Sequence, residues 1–255
     1  MTVELHHTVD GPEDAPVLVL GSSLGTTGAM WDENVPALAE RFRVIRYDTR
    51  GHGGSPAPDG PYAMEELGAD VLALIDRLGL ERVSFCGLSI GGMIGMWLAS
   101  EAPERVDRLV LCCTVPHFPP PDLWNERADT VRAEGMGPMV DPALERWLPP
   151  EVRAARPEAE EHLRGLIAST PPEGYAGCCE AIRDMDLRPR LGSISAPTLV
   201  LAGSDDPSTP AEKVRPIADA VPDARYLELE GAAHIANVAK PAAFFAAVSD
   251  HLDGK

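Results

Sequence analysis

The stretch Gly87-Leu88-Ser89-Ile90-Gly91 leaves the chain few ways to fold. It follows the apolar run Val83-Ser84-Phe85-Cys86 and passes directly into Gly92-Met93-Ile94-Gly95-Met96-Trp97-Leu98-Ala99, which reads as strand, abrupt turn, helix. Such a turn strains the serine backbone and brings the residues two before and two after it into collision. Glycine at 87 and 91 removes the collision, and Ser89 Oγ is left exposed above the end of a sheet. The helix beginning at Ile90 aims free N–H groups and the positive end of its dipole at the same point. A negative tetrahedral intermediate on Ser89 would be stabilised there. The pattern alone also fits a plain βα turn; the flanking strand and helix separate the two readings.

The flanking rhythm gives the architecture. Strands are expected around Val3–Val9, Pro16–Gly21, Arg43–Tyr47, Leu109–Cys113, Pro197–Gly203 and Tyr226–Leu229. Helices are expected near Trp31–Phe42, over Met64–Leu78, where Leu67, Val71, Leu74, Ile75 and Leu78 form one stripe, and over Ala242–Leu252. Apolar strands alternating with helices imply a mostly parallel sheet covered on both faces. Between about Pro116 and Leu191 the strands stop, prolines become frequent, and helices are expected at Asp122–Glu134, Asp141–Leu148 and Pro157–Ala168. The sequence therefore predicts a core of residues 1–115 and 192–255 with a helical cap, 116–191, inserted between two sheet strands.

A serine hydroxyl needs a base. Of the seven histidines, His6, His7, His162 and His251 lie on a terminal strand or on polar helical faces. His52 stands in the glycine-rich loop Arg50-Gly51-His52-Gly53 and precedes Ser89, and His117 opens the insertion. His234, in the loop after the final strand, would share the rim with Ser89. The orienting carboxylate should follow another strand, and Ser204-Asp205-Asp206-Pro207 offers two adjacent candidates. The resulting order, Ser89, then Asp205 or Asp206, then His234, is the Ser–Asp–His order of the α/β-hydrolase fold.

Charge and cysteine usage narrow the partners. A formal net charge of −18 opposes nucleic acid, whose binding needs clustered cations. An anionic substrate would need a local cation in its pocket. Only three of the 22 basic residues are lysines (Lys213, Lys240, Lys255), so arginine is the expected cation. Five cysteines without C-x-x-C spacing read as packed thiols, with no metal site expected. No run approaches a membrane span, and the start Met1-Thr2-Val3-Glu4-Leu5 has no basic, apolar leader, so a cytoplasmic location is expected. The oligomeric state is not legible.

Several stretches carry a family resemblance: Ser23-Leu24-Gly25-Thr26, Met30-Trp31, Phe42–Asp48, Arg50-Gly51-His52-Gly53, Gly60-Pro61-Tyr62, Phe85–Ser89, Gly91-Gly92-Met93, Trp97-Leu98-Ala99, Ala102–Arg105 and Trp124-Asn125-Glu126-Arg127. With these the chain resembles the α/β-hydrolases, and over its first 150 residues the 3-oxoadipate enol-lactonases in particular. Beyond that point the similarity is to the general fold. The resemblance implies Asp206 as the acid, because the family carboxylate stands four residues before a proline, here Pro210. It implies Ser23 and Ile90 N–H groups as the oxyanion hole; such donors are worth about 3–4 kcal/mol each in serine hydrolases. It also implies a cap helix on which Trp124 walls the pocket and Arg127 holds a substrate carboxylate, with Arg132 and Arg146 in reserve. Three-residue spacing puts Trp124 and Arg127 on one helix face, although such a pair is more often a buried Trp beside a solvated Arg. Met93 and Trp97 read as core.

The expected function is therefore cofactor-independent hydrolysis of a small carboxylate-bearing enol-lactone by a Ser89–His234–Asp206 triad, by resemblance 3-oxoadipate enol-lactone in the β-ketoadipate catabolism of aromatic acids. Rival readings keep the triad but change the substrate to another ester, lactone or carbon–carbon bond, or keep the fold as a binding protein. Dehalogenase and epoxide-hydrolase chemistry fits less well, since those relatives carry aspartate where Ser89 stands.

Overall fold

A computed structural model describes residues 1–254. Seven strands form one sheet: β1 (His7–Asp10), β2 (Val17–Gly21), β3 (Arg43–Tyr47), β4 (Val83–Leu88), β5 (Val106–Cys112), β6 (Thr198–Gly203) and β7 (Ala224–Leu229). They lie in the order β1-β3-β2-β4-β5-β6-β7; β1 pairs antiparallel with β3 and all other pairs are parallel. The central strands β2, β4, β5 and β6 are mostly buried, which explains their largely apolar sequences; the charged pair Asp107-Arg108 falls on the partly exposed start of β5.

The first strand is shorter than expected because side chains claim the backbone before it. Val3 N–H donates to Asp70 Oδ1 (2.8 Å) and His6 N–H to Ser55 Oγ (2.9 Å), so Val3–His6 joins no ladder. The helix expected over Trp31–Phe42 divides into a 3₁₀ turn, Gly28–Trp31, and the short α1 (Val35–Ala39). β5 ends at Cys112, one residue before the expected limit, because Cys113 takes a φ of 47°.

Two helices secure the front of the sheet. α2 (Met64–Arg77) buries Leu67, Val71, Leu74 and Ile75. Its one buried charge, Asp70, accepts Arg50 Nε (2.7 Å) and Nη2 (2.9 Å), which pins the glycine-rich loop. α3 (Ile90–Glu101) is apolar on every side because sheet and neighbouring helices cover it on every side.

Between β5 and β6 the chain forms five helices: α4 (Pro121–Glu134), α5 (Gly137–Trp147), α6 (Pro150–Ala155), α7 (Pro157–Ser169) and α8 (Pro172–Asp184). After them come α9 (Ala211–Ala220), α10 (Ala236–Ala239) and α11 (Pro241–Leu252). The helical insertion is fastened to the core at several points. Backbone meets backbone at Gly51 and Gly174: a Cβ on Gly174 would lie 1.9 Å from Gly51 O. Arg132 of α4 bridges Glu173 and Glu180 of α8, and Glu173 Oε1 in turn accepts Gly60 N–H (3.2 Å) from the core. Arg156 Nη1 donates to Val238 O (2.6 Å), and Ile235 N–H to Trp147 O (3.2 Å). All five cysteines are buried and unpaired.

Candidate active site

The functional candidates sit where parallel strands end. Ser89 follows β4, Ser23 follows β2, Asp206 follows β6 and His234 follows β7, so four separate turns deliver side chains or amides to the same edge of the sheet.

At the β4–α3 turn Ser89 has φ 57°, ψ −118°, a conformation rare for any side-chain-bearing residue. The surroundings hold it there. Ser89 N–H donates to Cys112 O (3.0 Å), Thr114 Oγ1 donates to Ser89 O (2.8 Å), and Gly91 N–H donates to Ser22 O (3.1 Å). A Cβ on Gly87 would lie 2.2 Å from Gly91 O, and one on Gly91 2.4 Å from Gly21 backbone, so neither position has room for a side chain. The elbow is therefore built as its five residues require.

The imidazole and the carboxylate meet directly: His234 Nδ1 lies 2.8 Å from Asp206 Oδ2. Asp206 also accepts Ser208 N–H (2.8 Å), Thr209 N–H (3.1 Å) and the Thr209 hydroxyl (2.6 Å). Burial alone would raise its pKa, but His234 and the Thr209 donors outweigh burial and hold the carboxyl below its ordinary value. An ionised Asp206 keeps the proton on Nδ1 and leaves Nε2 able to accept one. Asp205 is different. It is exposed, accepts the Ser204 hydroxyl (2.8 Å) and borders an acidic surface depression with Glu228 and Glu230. Of the two aspartates, Asp206 is the one in hydrogen-bond contact with His234. Thr209 carried no sequence signal beyond its position three residues after an aspartate.

Ser89 and His234 border one cavity of about 340 Å³, without a direct hydrogen bond between them in this conformation. Catalytic contacts of this kind are commonly loose until substrate is bound. Ser23 lines the same cavity, and the Ser23 and Ile90 N–H groups have no acceptor among the described residues. Behind Ser23 the loop rests on His52: Gly25 N–H donates to His52 Nε2 (3.0 Å), while His52 Nδ1 lies 3.2 Å from Arg50 O. This pairing requires the neutral imidazole, and burial pushes the His52 pKa down to about 4. His52 therefore supports the loop from behind and does not line the cavity. His117 does not line it either; its Nδ1 contacts Met185 O (3.2 Å).

The opposite wall comes from the insertion. Trp124 is buried, donates Nε1–H to Phe118 O (3.0 Å) and carries the Arg127 guanidinium 4.9 Å from its ring centroid. Both line the cavity, as do Phe118, Leu123, Met139 and Trp147. Of the two reserve arginines, Arg132 is tied up in its ion pairs with Glu173 and Glu180, but Arg146 faces the cavity. Met93, expected in the core, also lines the cavity, whereas Trp97 packs on Gly68.

A profile of the alpha/beta hydrolase fold matches residues 16–152 and 161–241. The chain belongs to the α/β-hydrolase family. It is 40% identical over 246 residues to 3-oxoadipate enol-lactonase 2 of Acinetobacter baylyi, covering 96% of this chain and 92% of that one. Among solved structures it is similar to the enol-lactonase from Burkholderia xenovorans LB400, with TM-score 0.96, 43% identity, and 98% and 97% of the two chains covered. It is also similar to a thermophilic esterase from Thermogutta terrifontis, with TM-score 0.92, 29% identity, and 99% and 94% covered. The likeness to enol-lactonases thus spans the insertion as well as the first 150 residues. As an α/β-hydrolase with enol-lactonase relatives, the protein is a carboxylic-ester hydrolase. Among the described residues no helix is long and apolar enough to cross a membrane, and no cluster of His, Cys, Asp and Glu could hold a metal ion.

Proposed function

We propose that the enzyme opens 3-oxoadipate enol-lactone to 3-oxoadipate through an acyl-enzyme on Ser89, with residues 116–191 serving as a cap over the site. One observation carries this reading: the cavity that joins Ser89 and His234 on its floor has on its far wall a guanidinium, Arg127, with no carboxylate partner among the described residues. The enol-lactonase relatives in Acinetobacter and Burkholderia support the choice of lactone.

In the proposed reaction, His234 Nε2 takes the Ser89 proton as Oγ bonds to the lactone carbonyl carbon. The Ser23 and Ile90 amides hold the resulting oxyanion. Collapse breaks the ring C–O bond; the departing enolate takes the proton from His234 and settles as the more stable ketone. That makes ring opening effectively irreversible. Water then gives a proton to His234 and attacks the acyl carbon; the Oγ–acyl bond breaks, Ser89 Oγ takes the proton back from His234, and the diacid leaves. Asp206 fixes the imidazole tautomer and stabilises its cation in both halves. Arg127 binds the substrate carboxylate against the Trp124 face.

The pathway role that follows is β-ketoadipate catabolism of aromatic acids. Likeness to the thermophilic esterase supports a second reading, in which the substrate is another small ester carrying a carboxylate. Hydrolysis of freshly generated 3-oxoadipate enol-lactone separates them. Fast turnover, abolished in Ser89→Ala and weakened in Arg127→Ala mainly through KM, is the expected result. Absence of turnover, with Ser89 still labelled by a fluorophosphonate, would retain the serine hydrolase and discard the lactone.

A further inference from the structure

The far wall of the cavity carries more positive charge than a single held carboxylate needs. Arg127, from α4, and Arg146, from α5, both face the cavity, and Tyr175 of α8 lines it as well. Elsewhere the arginines are mostly matched to acids: Arg50 with Asp70, Arg132 with Glu173 and Glu180, Arg156 with Glu33, Arg164 with Asp141. Arg127 and Arg146 form no ion pair among the described residues, although the chain has 40 acidic residues to draw on. Each is half-buried, and each lies close enough to the other for their charges to interact unfavourably. The buried Tyr175 lines the same cavity, and the charges of both Arg127 and Arg146 act on its hydroxyl. Two guanidiniums facing one cavity, with no acid paired to either among the described residues, suit an anionic ligand.

We propose that Arg146 is the second arm of a two-guanidinium seat for the substrate carboxylate and is a specificity-determining residue that selects acids over neutral esters. The proposal rests on the reading that Arg127 holds a carboxylate. A carboxylate offers two oxygens and about four lone-pair sites, enough to accept from both guanidiniums. Occupation also relieves the repulsion between them, so an acid gains twice while a neutral ester leaves the repulsion in place. Arg146 sits on a different helix from Arg127, so the bound anion also ties α5 to α4. Neither arginine touches the reacting atoms in this arrangement, so their loss weakens acid binding and spares the triad.

The test uses adipate, a six-carbon diacid resembling the product, as inhibitor of p-nitrophenyl acetate hydrolysis, which needs the triad and no carboxylate seat. Arg127→Gln and Arg146→Gln should each raise the adipate Ki about tenfold or more, with Ki read against each variant's own rate of neutral-ester turnover. The double variant should raise Ki by less than the product of the two single effects, because both arms grip one anion. A Ki unchanged in Arg146→Gln but raised in Arg127→Gln overturns the role of Arg146 and leaves the Arg127 reading standing. Failure of adipate to inhibit a wild type that turns over the neutral ester overturns the seat and the carboxylate reading together. If Arg146→Gln does not fold, Arg146→Lys keeps the charge and loses the fork. A rise in Ki of about threefold is then expected, and no rise overturns the proposal.

Discussion

On the floor of the cavity Asp206 accepts four hydrogen bonds, Ser89 is held by neighbours on both sides, and His52 is bonded at both ring nitrogens. On the far wall, Arg127 and Arg146 meet no carboxylate among the described residues. The floor belongs to strand ends of the sheet, the wall to helices inserted between β5 and β6. Reaction groups must be preorganised, so their polar partners come from the protein itself. Recognition groups must remain open to a ligand, so their partners are withheld. Under the proposed function, charge that is satisfied on one side and unsatisfied on the other divides chemistry from selectivity.

The sharpest break of this comparison lies on the floor. Ser89→Ala should lower kcat by about four orders of magnitude or more, and Asp206→Asn by about 10³–10⁴-fold, since the imidazole would then lose its tautomer. Asp205→Asn should stay within about twofold. Equal losses at 205 and 206 in steady-state kinetics would remove the distinction drawn from the His234 contact.

A second contrast is pH. Buried His52 has its folded pKa lowered to about 4, below the usual unfolded value of about 6.5. Between those values the unfolded chain binds the extra proton, so stability is complete above pH ~6.5 and falls as pH drops towards 4, by on the order of a few kcal/mol. His251, lowered by burial and by Arg108, adds to the same slope. Denaturant melts across this range should show a shallower slope in His52→Gln, which can still accept Gly25 N–H. An unchanged slope would mean that His52 is not the group being protonated.

The seam between core and insertion gives smaller effects. Gly174→Ala drives a methyl into Gly51 backbone and should cost about 1–3 kcal/mol, read as a lower Tm in calorimetry. Retention of the wild-type Tm would show that the seam yields freely. Arg132→Gln removes partly exposed ion pairs and should cost about 1 kcal/mol or less; a loss of several kcal/mol would make this pair structural rather than superficial.

Much of the floor could be read directly because its signals are local. The glycines around Ser89, the strand before it and the order of aspartate and histidine are each written in a few adjacent residues. The choice of Asp206 over Asp205 needed the family pattern, since neighbouring aspartates differ only in which way the turn points them. The wall was less legible. Nothing beside Arg146 separates it from Arg153 or Arg156, and Arg132 looks as suitable as Arg127 until Glu173 and Glu180 arrive from a helix some 40 residues on. The glycine-rich loop marks His52 without saying where it points, because its role behind the Ser23–Gly25 loop depends on a contact 27 residues away in sequence. β1 came out short because Asp70 and Ser55 capture backbone donors that strand propensity assigns to a ladder.

The division between a self-satisfied floor and an open, charged wall is tested most directly with one pair of substrates: 3-oxoadipate enol-lactone and its neutral methyl ester. The wild type should prefer the acid by about tenfold or more in kcat/KM, with the difference mainly in KM and similar kcat. Equal kcat/KM for the two, or preference for the ester, would contradict the account, because the unpaired guanidiniums would then have no part in choosing what Ser89 attacks.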